Sequence, residues 1–296
     1  MANNTMNKIK KPTFYDFPAP AKINLFLHVV GQQANGYHEL ETLFQFLTLA
    51  DTLSIAKTDD QKIKLLTPFA GVVEQDNLIV KAALLLQQAT NTSFGAQLAI
   101  NKIIPMGGGL GGGSSNAATV LMALNALWQT QLSTEQLCQL GIQLGADVPI
   151  FIYGKAAFAQ GIGEQFTSAT PPQAWYLITK PACSISTQSI FQAASLCRNT
   201  SKLKQAKFES INDIDALRND CEAVVIKQHP EVAKLYAWLI EYAPTRMTGT
   251  GSCLFSRFDT QSAAEKCQQS LTSSVQSFVT KAVNKSPLIN VIQRFK

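Results

Sequence analysis

Apolar and polar positions alternate from Ala21 to Val30, with Ile23, Leu25, Leu27 and Val29 on one side and Lys22, Asn24, Phe26 and His28 on the other. A period of two predicts a strand with one buried face. Asn35-Gly36 then predicts a turn, because glycine accepts the positive φ that tight turns need. Short β-rich runs continue to Ile55. The pattern changes at Asn77–Thr90 (NLIVKAALLLQQAT), whose apolar content predicts a buried helix. Gln97–Ile104 reads as a strand that stops at Pro105. Beyond a glycine stretch, Val120, Leu124, Leu127 and Trp128 recur at helical spacing and predict a helix from Ser114 to Trp128. A second helix is predicted over Thr134–Leu144, ending at Gly145. Ala156–Phe166 reads as a strand, and Thr170-Pro171-Pro172 as a junction between domains. Strands are then predicted at Trp175–Thr179 and Cys253–Phe258, and helices at Asp215–Gln228, Glu231–Tyr242 and Ser262–Leu271. The pattern has no internal repeat and predicts an α+β fold in two lobes.

Composition narrows the class. The chain has 296 residues, 46% of them hydrophobic and 15% charged, enough for a large core and far from a disordered composition. Its net charge of +5 comes from scattered lysines without a basic block, which argues against a nucleic-acid partner. Six cysteines show no Cys-x-x-Cys pair, and three histidines are too few to complete such a set, so no metal site is expected on the protein itself. Reduced, packed thiols fit better. The uncharged stretch between Lys102 and Glu135 is interrupted by glycines, serines and amides, so no membrane span is expected. The lysine-bearing N-terminal segment lacks an apolar run of signal-peptide length, and a cytoplasmic location is the expectation.

The most informative segment is Pro105, Met106, Gly107, Gly108, Gly109, Leu110, Gly111, Gly112, Gly113, Ser114 and Ser115. Glycines let backbone amides turn inward with no Cβ in the way. The loop feeds a helix start, where unpaired N–H groups and the dipole favour negative charge, and Ser114, Ser115 and Asn116 add donors or a cap. A glycine run is also what a flexible linker looks like, but this one sits between two apolar periodic segments. The segment therefore reads as a phosphate cradle. A dinucleotide fingerprint can be drawn through Gly107, Gly109 and Gly112, but a second helix follows and the first acid is Glu135. The P-loop pattern fails as well, since Pro149 stands where Gly154-Lys155 would need a glycine.

PMGGGLGGGSSNAA resembles the ATP-binding motif of the galactokinase–homoserine kinase–mevalonate kinase (GHMP) family. PAKINLFLHVVGQQANGYHEL (Pro20–Leu40) and TGTGSCLF (Thr248–Phe255) resemble its other motifs in the same order, so the likeness spans most of the chain. It implies a two-lobed fold, residues 1–168 forming an N-terminal ATP-binding domain and 169–296 a C-terminal domain, with the active site in the cleft between them. It further implies ATP with Mg²⁺ as cofactors. GYHEL and LGADVPIF resemble the members whose substrate is a cytidine-diphosphate-linked methylerythritol, phosphorylated on its 2-hydroxyl. A monomer or homodimer is expected. The competing readings are another GHMP kinase (for homoserine, mevalonate or a sugar), a catalytically silent ligand sensor, and a nicotinamide-dependent oxidoreductase.

The resemblance pairs Lys22, on the same strand face as Asn24, with Asp147 as the catalytic centre, Lys22 polarising the alcohol and Asp147 accepting its proton. Taken by itself, Lys22 reads equally as a solvated strand lysine and Asp147 as a helix N-cap ahead of Pro149. Tyr37 and His38 correspond to the pair that stacks on and hydrogen-bonds the cytidine; the alternative is a turn that packs Tyr37 and leaves His38 in water. Phe191 is a candidate second aromatic wall or a core residue. Gly249 and Thr250, with Gly251, form either a second turn near the phosphates or a plain turn before a strand. Asn219-Asp220-Cys221-Glu222 reads as a helix cap, and Gly108 as a position that loosens the loop.

Overall fold

A computed structural model of the protein describes residues 12–34, 36–67, 73–203, 208 and 210–295, the side chains of residues 211 and 212 excepted. Asn35 of the predicted turn and the N-terminal lysine segment up to residue 11 lie outside these. Two long antiparallel strands, β1 (Tyr15–Gln32) and β2 (His38–Thr58), form the backbone of the fold. β1 occupies one edge of β2. The other is shared in turn by β5 (Ala157–Gln160), β10 (Gln276–Val283) and β4 (Gly95–Asn101). β3 (Ile63–Leu65) adds to β4 in parallel, and β6 (Gln165–Ser168) to β5. β10 also pairs with β7 (Trp175–Lys180), which continues through β9 (Leu254–Phe258) to β8 (Thr245–Met247). Pro18 and Pro20 are tolerated in β1 because it keeps an outer edge, where a missing N–H breaks no ladder.

The helices are α1 (Leu78–Thr90), α2 (Gly112–Leu127), α3 (Thr134–Leu144), α4 (Val148–Tyr153), α5 (Thr187–Gln192), α6 (Ile211–Asp215), α7 (Glu222–Gln228), α8 (Pro230–Leu239), α9 (Gln261–Gln269) and α10 (Pro287–Ile292). α3 has the predicted bounds because Ser133 and Gln136 close a capping box at its start. Among the described residues no helix is long and apolar enough to cross a membrane.

The departures from expectation have local causes. β1 is buried on both faces, not one: Phe26 is fully buried and Lys22, Asn24 and His28 nearly so, because Gly109 of the glycine loop lies against Lys22, and Phe158 and Phe208 pack on Phe26. The predicted strand Ala156–Phe166 is a hairpin, broken where Gly161 and Gly163 take φ of +73° and +104°. The predicted helix Asp215–Gln228 forms only from Glu222 onward, as α7, with Asp215 ending α6, because Arg218, Asn219 and Asp220 leave the helical path to bond β1 (Leu27 N to Arg218 O, 3.1 Å; Asp220 N to Leu27 O, 2.8 Å). The first apolar cluster joins β1, β2, β4, α1, α2 and α4, and α10 returns to it through Leu288 and Ile292. A third cluster packs Leu27 and Val29 of β1 against β7, α7, α8 and β9.

Candidate active site

Lys22 sits at the centre of the molecule, its side chain 3% exposed. Its backbone N–H donates to Leu110 O at 3.0 Å. Its ammonium donates to Asn24 Oδ1 (2.6 Å) and Gly109 O (3.1 Å), lies 3.2 Å from Asp147 Oδ2, and sits 5.2 Å from the centre of the Phe44 ring. A buried ammonium is tolerable when its donors are met in this way. The solvated-lysine reading is therefore excluded. Asp147 stands at the N-cap position of α4 but makes no side-chain cap bond, and its half-exposed carboxylate turns to Lys22. Asn24 is held by Thr42 Oγ1, which accepts from its amide at 2.8 Å, and by Thr248, whose Oγ1 accepts from Asn24 N at 3.0 Å.

The glycine loop crosses above this pair. Gly107, Gly109 and Gly111 have φ of +66°, +76° and +71°. α2 begins at Gly112, two residues earlier than the apolar period predicts, with Gly111 as its N-cap and no side-chain cap, so its first N–H groups are left for an anion. Ser114 faces the cavities, whereas Ser115 turns into the core and lines neither; its buried hydroxyl has no hydrogen-bond partner. Successive helix positions point about 100° apart, which separates the two serines. Asn116 is almost fully buried at the floor of the smaller cavity and donates to Asp51 Oδ2 at 2.9 Å.

Asp51, fully buried on β2, has no counterpart in the sequence reading. It accepts from the N–H groups of Ile103 (2.7 Å) and Ile104 (2.8 Å) and from Lys102 Nζ (2.7 Å). One carboxylate thus ties the end of β4, the loop's approach and the first turn of α2. The signal that could have found it is the single acid between Thr42 and Thr58, a stretch of β2 otherwise without negative charge. Gly108 is not a loosening position. A methyl there would overlap the sulfur of Cys253, whose N–H donates to Gly108 O at 3.1 Å. The Asn219-Asp220 segment is a clamp more than a cap. Asn219 Nδ2 donates to Met247 O and Gly249 O (2.9 and 2.8 Å), and Asp220 Oδ2 accepts from Val29 N (2.8 Å).

Two cavities meet over Asp147. The smaller, about 460 Å³, runs along Pro105–Ser114 and is also lined by Asn77 and Lys102, which sequence reasoning did not single out. The larger, about 1100 Å³, holds Lys22, Asn24, Tyr37, His38, Phe191, Gly249 and Thr250. Gly107, Gly109, Ser114 and Asp147 line both. Tyr37 lies at the rim, 60% exposed. The His38 ring stacks on Phe191 (centroids 4.9 Å apart, planes at 22°), and His38 Nε2 accepts from Arg198 Nε at 3.1 Å. Burial and the neighbouring guanidinium lower the His38 pKa. Thr250 Oγ1 lies 2.9 Å from Thr187 Oγ1, joining the C-terminal glycine turn to α5. Among the described residues no group of three His, Cys, Asp or Glu side chains is placed to hold a metal ion.

The family model for the N-terminal domain of GHMP kinases matches residues 77–155, and that for the GHMP kinase C-terminal domain matches residues 198–276. The chain is 55% identical over 294 residues to a 4-diphosphocytidyl-2-C-methyl-D-erythritol kinase of Colwellia psychrerythraea, covering 99% of this chain and 96% of that one. It is 49% identical over 280 residues to the Pasteurella multocida protein of the same name, covering 95% and 94%. A crystal structure of a 4-(cytidine 5'-diphospho)-2C-methyl-D-erythritol kinase superposes with a TM-score of 0.75 at 27% identity, over 90% of this chain and 99% of that one. The homoserine kinase of Cytophaga hutchinsonii shares the fold (TM-score 0.66, 15% identity, 96% and 98% covered). Arranged around a buried lysine paired with a half-exposed aspartate beneath a glycine loop, this chain is an ATP-dependent small-molecule kinase and belongs to the GHMP family, among its 4-diphosphocytidyl-2-C-methyl-D-erythritol kinases.

Proposed function

We propose that the chain transfers the γ-phosphate of ATP to the 2-hydroxyl of 4-diphosphocytidyl-2-C-methyl-D-erythritol. The observation that carries this reading is the Lys22–Asp147 pair, 3.2 Å apart, with Asp147 at the junction of the two cavities. ATP lies along the glycine loop, its phosphates received by the N–H groups at the start of α2 and its nucleoside end toward Asn77 and Lys102. The alcohol enters from the larger cavity, its cytidine end toward Tyr37, His38 and Phe191.

Asp147 accepts the proton of the attacking hydroxyl, and its exposure leaves it able to reach that group. The Lys22 ammonium, fixed by Asn24 and the Gly109 carbonyl, holds Asp147 in place and presents positive charge where the hydroxyl and phosphate oxygens converge. The glycine turn at Gly249 and Thr250 closes the cavity from the C-terminal side. Mg²⁺ bound with the nucleotide would neutralise charge on the phosphates, and an ion carried mainly by phosphate oxygens would need few protein ligands. Ser114 and Asp147 are the oxygen-bearing side chains at both cavities that fit that role. The division into domains 1–168 and 169–296, with this cleft between them, and a cytoplasmic monomer or homodimer belong to the same reading.

Coupled ADP release with MgATP and the cytidine substrate tests it, with homoserine, mevalonate and galactose in parallel. Turnover is expected on the cytidine substrate alone, and Asp147→Asn is expected to lower kcat by about 10²- to 10⁴-fold. Turnover on a different alcohol would keep the kinase and discard this substrate.

A further inference from the structure

We propose that Arg198 is a specificity-determining positioning residue, which locks the His38 imidazole as a fixed Nδ1–H donor and so selects cytosine over uracil. The inference deepens the functional reading above and rests on it. An arginine Nε–H can only donate, so His38 Nε2, at 3.1 Å from it, is held as an acceptor without a proton. The single proton of the neutral ring is then at Nδ1.

Arg198 is itself immobilised. Its two terminal nitrogens donate to the carbonyls of Phe191 (2.7 Å) and Ala193 (2.9 Å) at the C-terminal end of α5 and to that of Leu196 (3.2 Å) just beyond it. The guanidinium therefore cannot swing away without undoing that helix end. The ring is fixed a second time by stacking on Phe191. Of the elements packed around His38, Arg198 is the charged group that faces it. Glu39, next along β2, is engaged by Lys202 at 3.2 Å, and the β1 register partner is the neutral Gln32. A protonated ring would set Nε2–H against Nε–H beside a permanent cation, and the lowered His38 pKa agrees.

A fixed donor discriminates between pyrimidines. Cytosine presents an acceptor at N3, whereas uracil presents N3–H, and donor against donor leaves both groups unpaired. An imidazole free to exchange its proton between nitrogens could meet either base. Arg198 removes that freedom.

The test combines ¹⁵N imidazole shifts with kinetics on the cytidine-diphosphate substrate and its uridine-diphosphate analogue, for the wild type and Arg198→Met. The substrate-free wild type is expected to show His38 as the Nδ1–H form, titrating below an ordinary histidine, its signal assigned with His38→Gln. In Arg198→Met the tautomers mix and the pKa rises. The cytidine preference in kcat/KM falls about 10- to 100-fold through KM, with KM for ATP unchanged. A wild-type Nε2–H tautomer would overturn the lock, and this reading needs no variant to fold. An unchanged cytidine-to-uridine ratio in Arg198→Met, with both KM values raised together, would mean that Arg198 serves the diphosphate or the helix end instead. Absence of turnover on either nucleotide would count against the functional reading, and the tautomer would still decide the lock.

Discussion

At Gly108 the glycine loop rests directly on the Cys253 sulfur, and this contact makes a residue-level test of the loop's seating. Gly108→Ala is expected to overpack the contact by about 1–3 kcal/mol, lowering the melting temperature and raising KM for ATP. Cys253→Ala in the same chain removes the sulfur and is expected to restore much of both. Equal defects in the single and double variants would place the strain elsewhere. The loop was legible from its own glycines, whereas Lys22 and Asp147 stood out only through the motifs that resemble the family's. Their surroundings were not legible. That Lys22 is buried and Asp147 uncapped depends on Gly109, Phe44 and Thr248, which are remote in the chain. Arg198 carried no local signal at all, since its meaning comes from His38, which β2 brings from 160 positions away.

At the scale of elements, Asp51 of β2 ties the 102–104 segment, which joins β4 to the glycine loop, to α2 through Asn116, so the loop is anchored on both sides. Asp51→Ala leaves the N–H groups of Ile103 and Ile104 and the Asn116 amide without this acceptor, and takes the counterion from Lys102, whose ammonium keeps only its bond to Ile104 O. The expected loss is about 3–5 kcal/mol, read as a lower urea midpoint. KM for ATP is expected to rise as well, because Lys102 lines the smaller cavity. Lost stability with an unaltered KM would show that the loop keeps its shape without the carboxylate. Periodicity located α1, α2 and α3 well, since each carries its own apolar stripe or cap. It failed at Asp215–Gln228, where helical composition is overridden by bonds from residues 218–220 to β1, and at β10, whose alternation is weak and whose place is set by pairing with β2 and β7.

Over the whole molecule, the end of the chain secures its beginning. Leu288 and Ile292 enter the first core, and the Phe295 ring lies 5.0 Å from Tyr15 and 5.3 Å from Phe17. Truncation after Lys285 removes these contacts, and burial of such side chains is worth about 1.5–3 kcal/mol each. The truncated protein is expected to lose most of its folding stability, measured by calorimetry; a melting temperature within a few degrees of the full chain would refute this. Two lobes could be read from the turn signals, but not this return, which no local pattern encodes. Cys253 has a different consequence at the same scale. Its thiol is fully buried where the loops of the two halves meet, and its pKa is pushed up to about 12 by that burial. Alkylation there has to wait for the loops to part, so its rate is a clock for separation of the halves. Cys197, near the surface with a lowered pKa, supplies the fast internal standard. Saturating nucleotide should slow the Cys253 clock and leave the standard running unchanged.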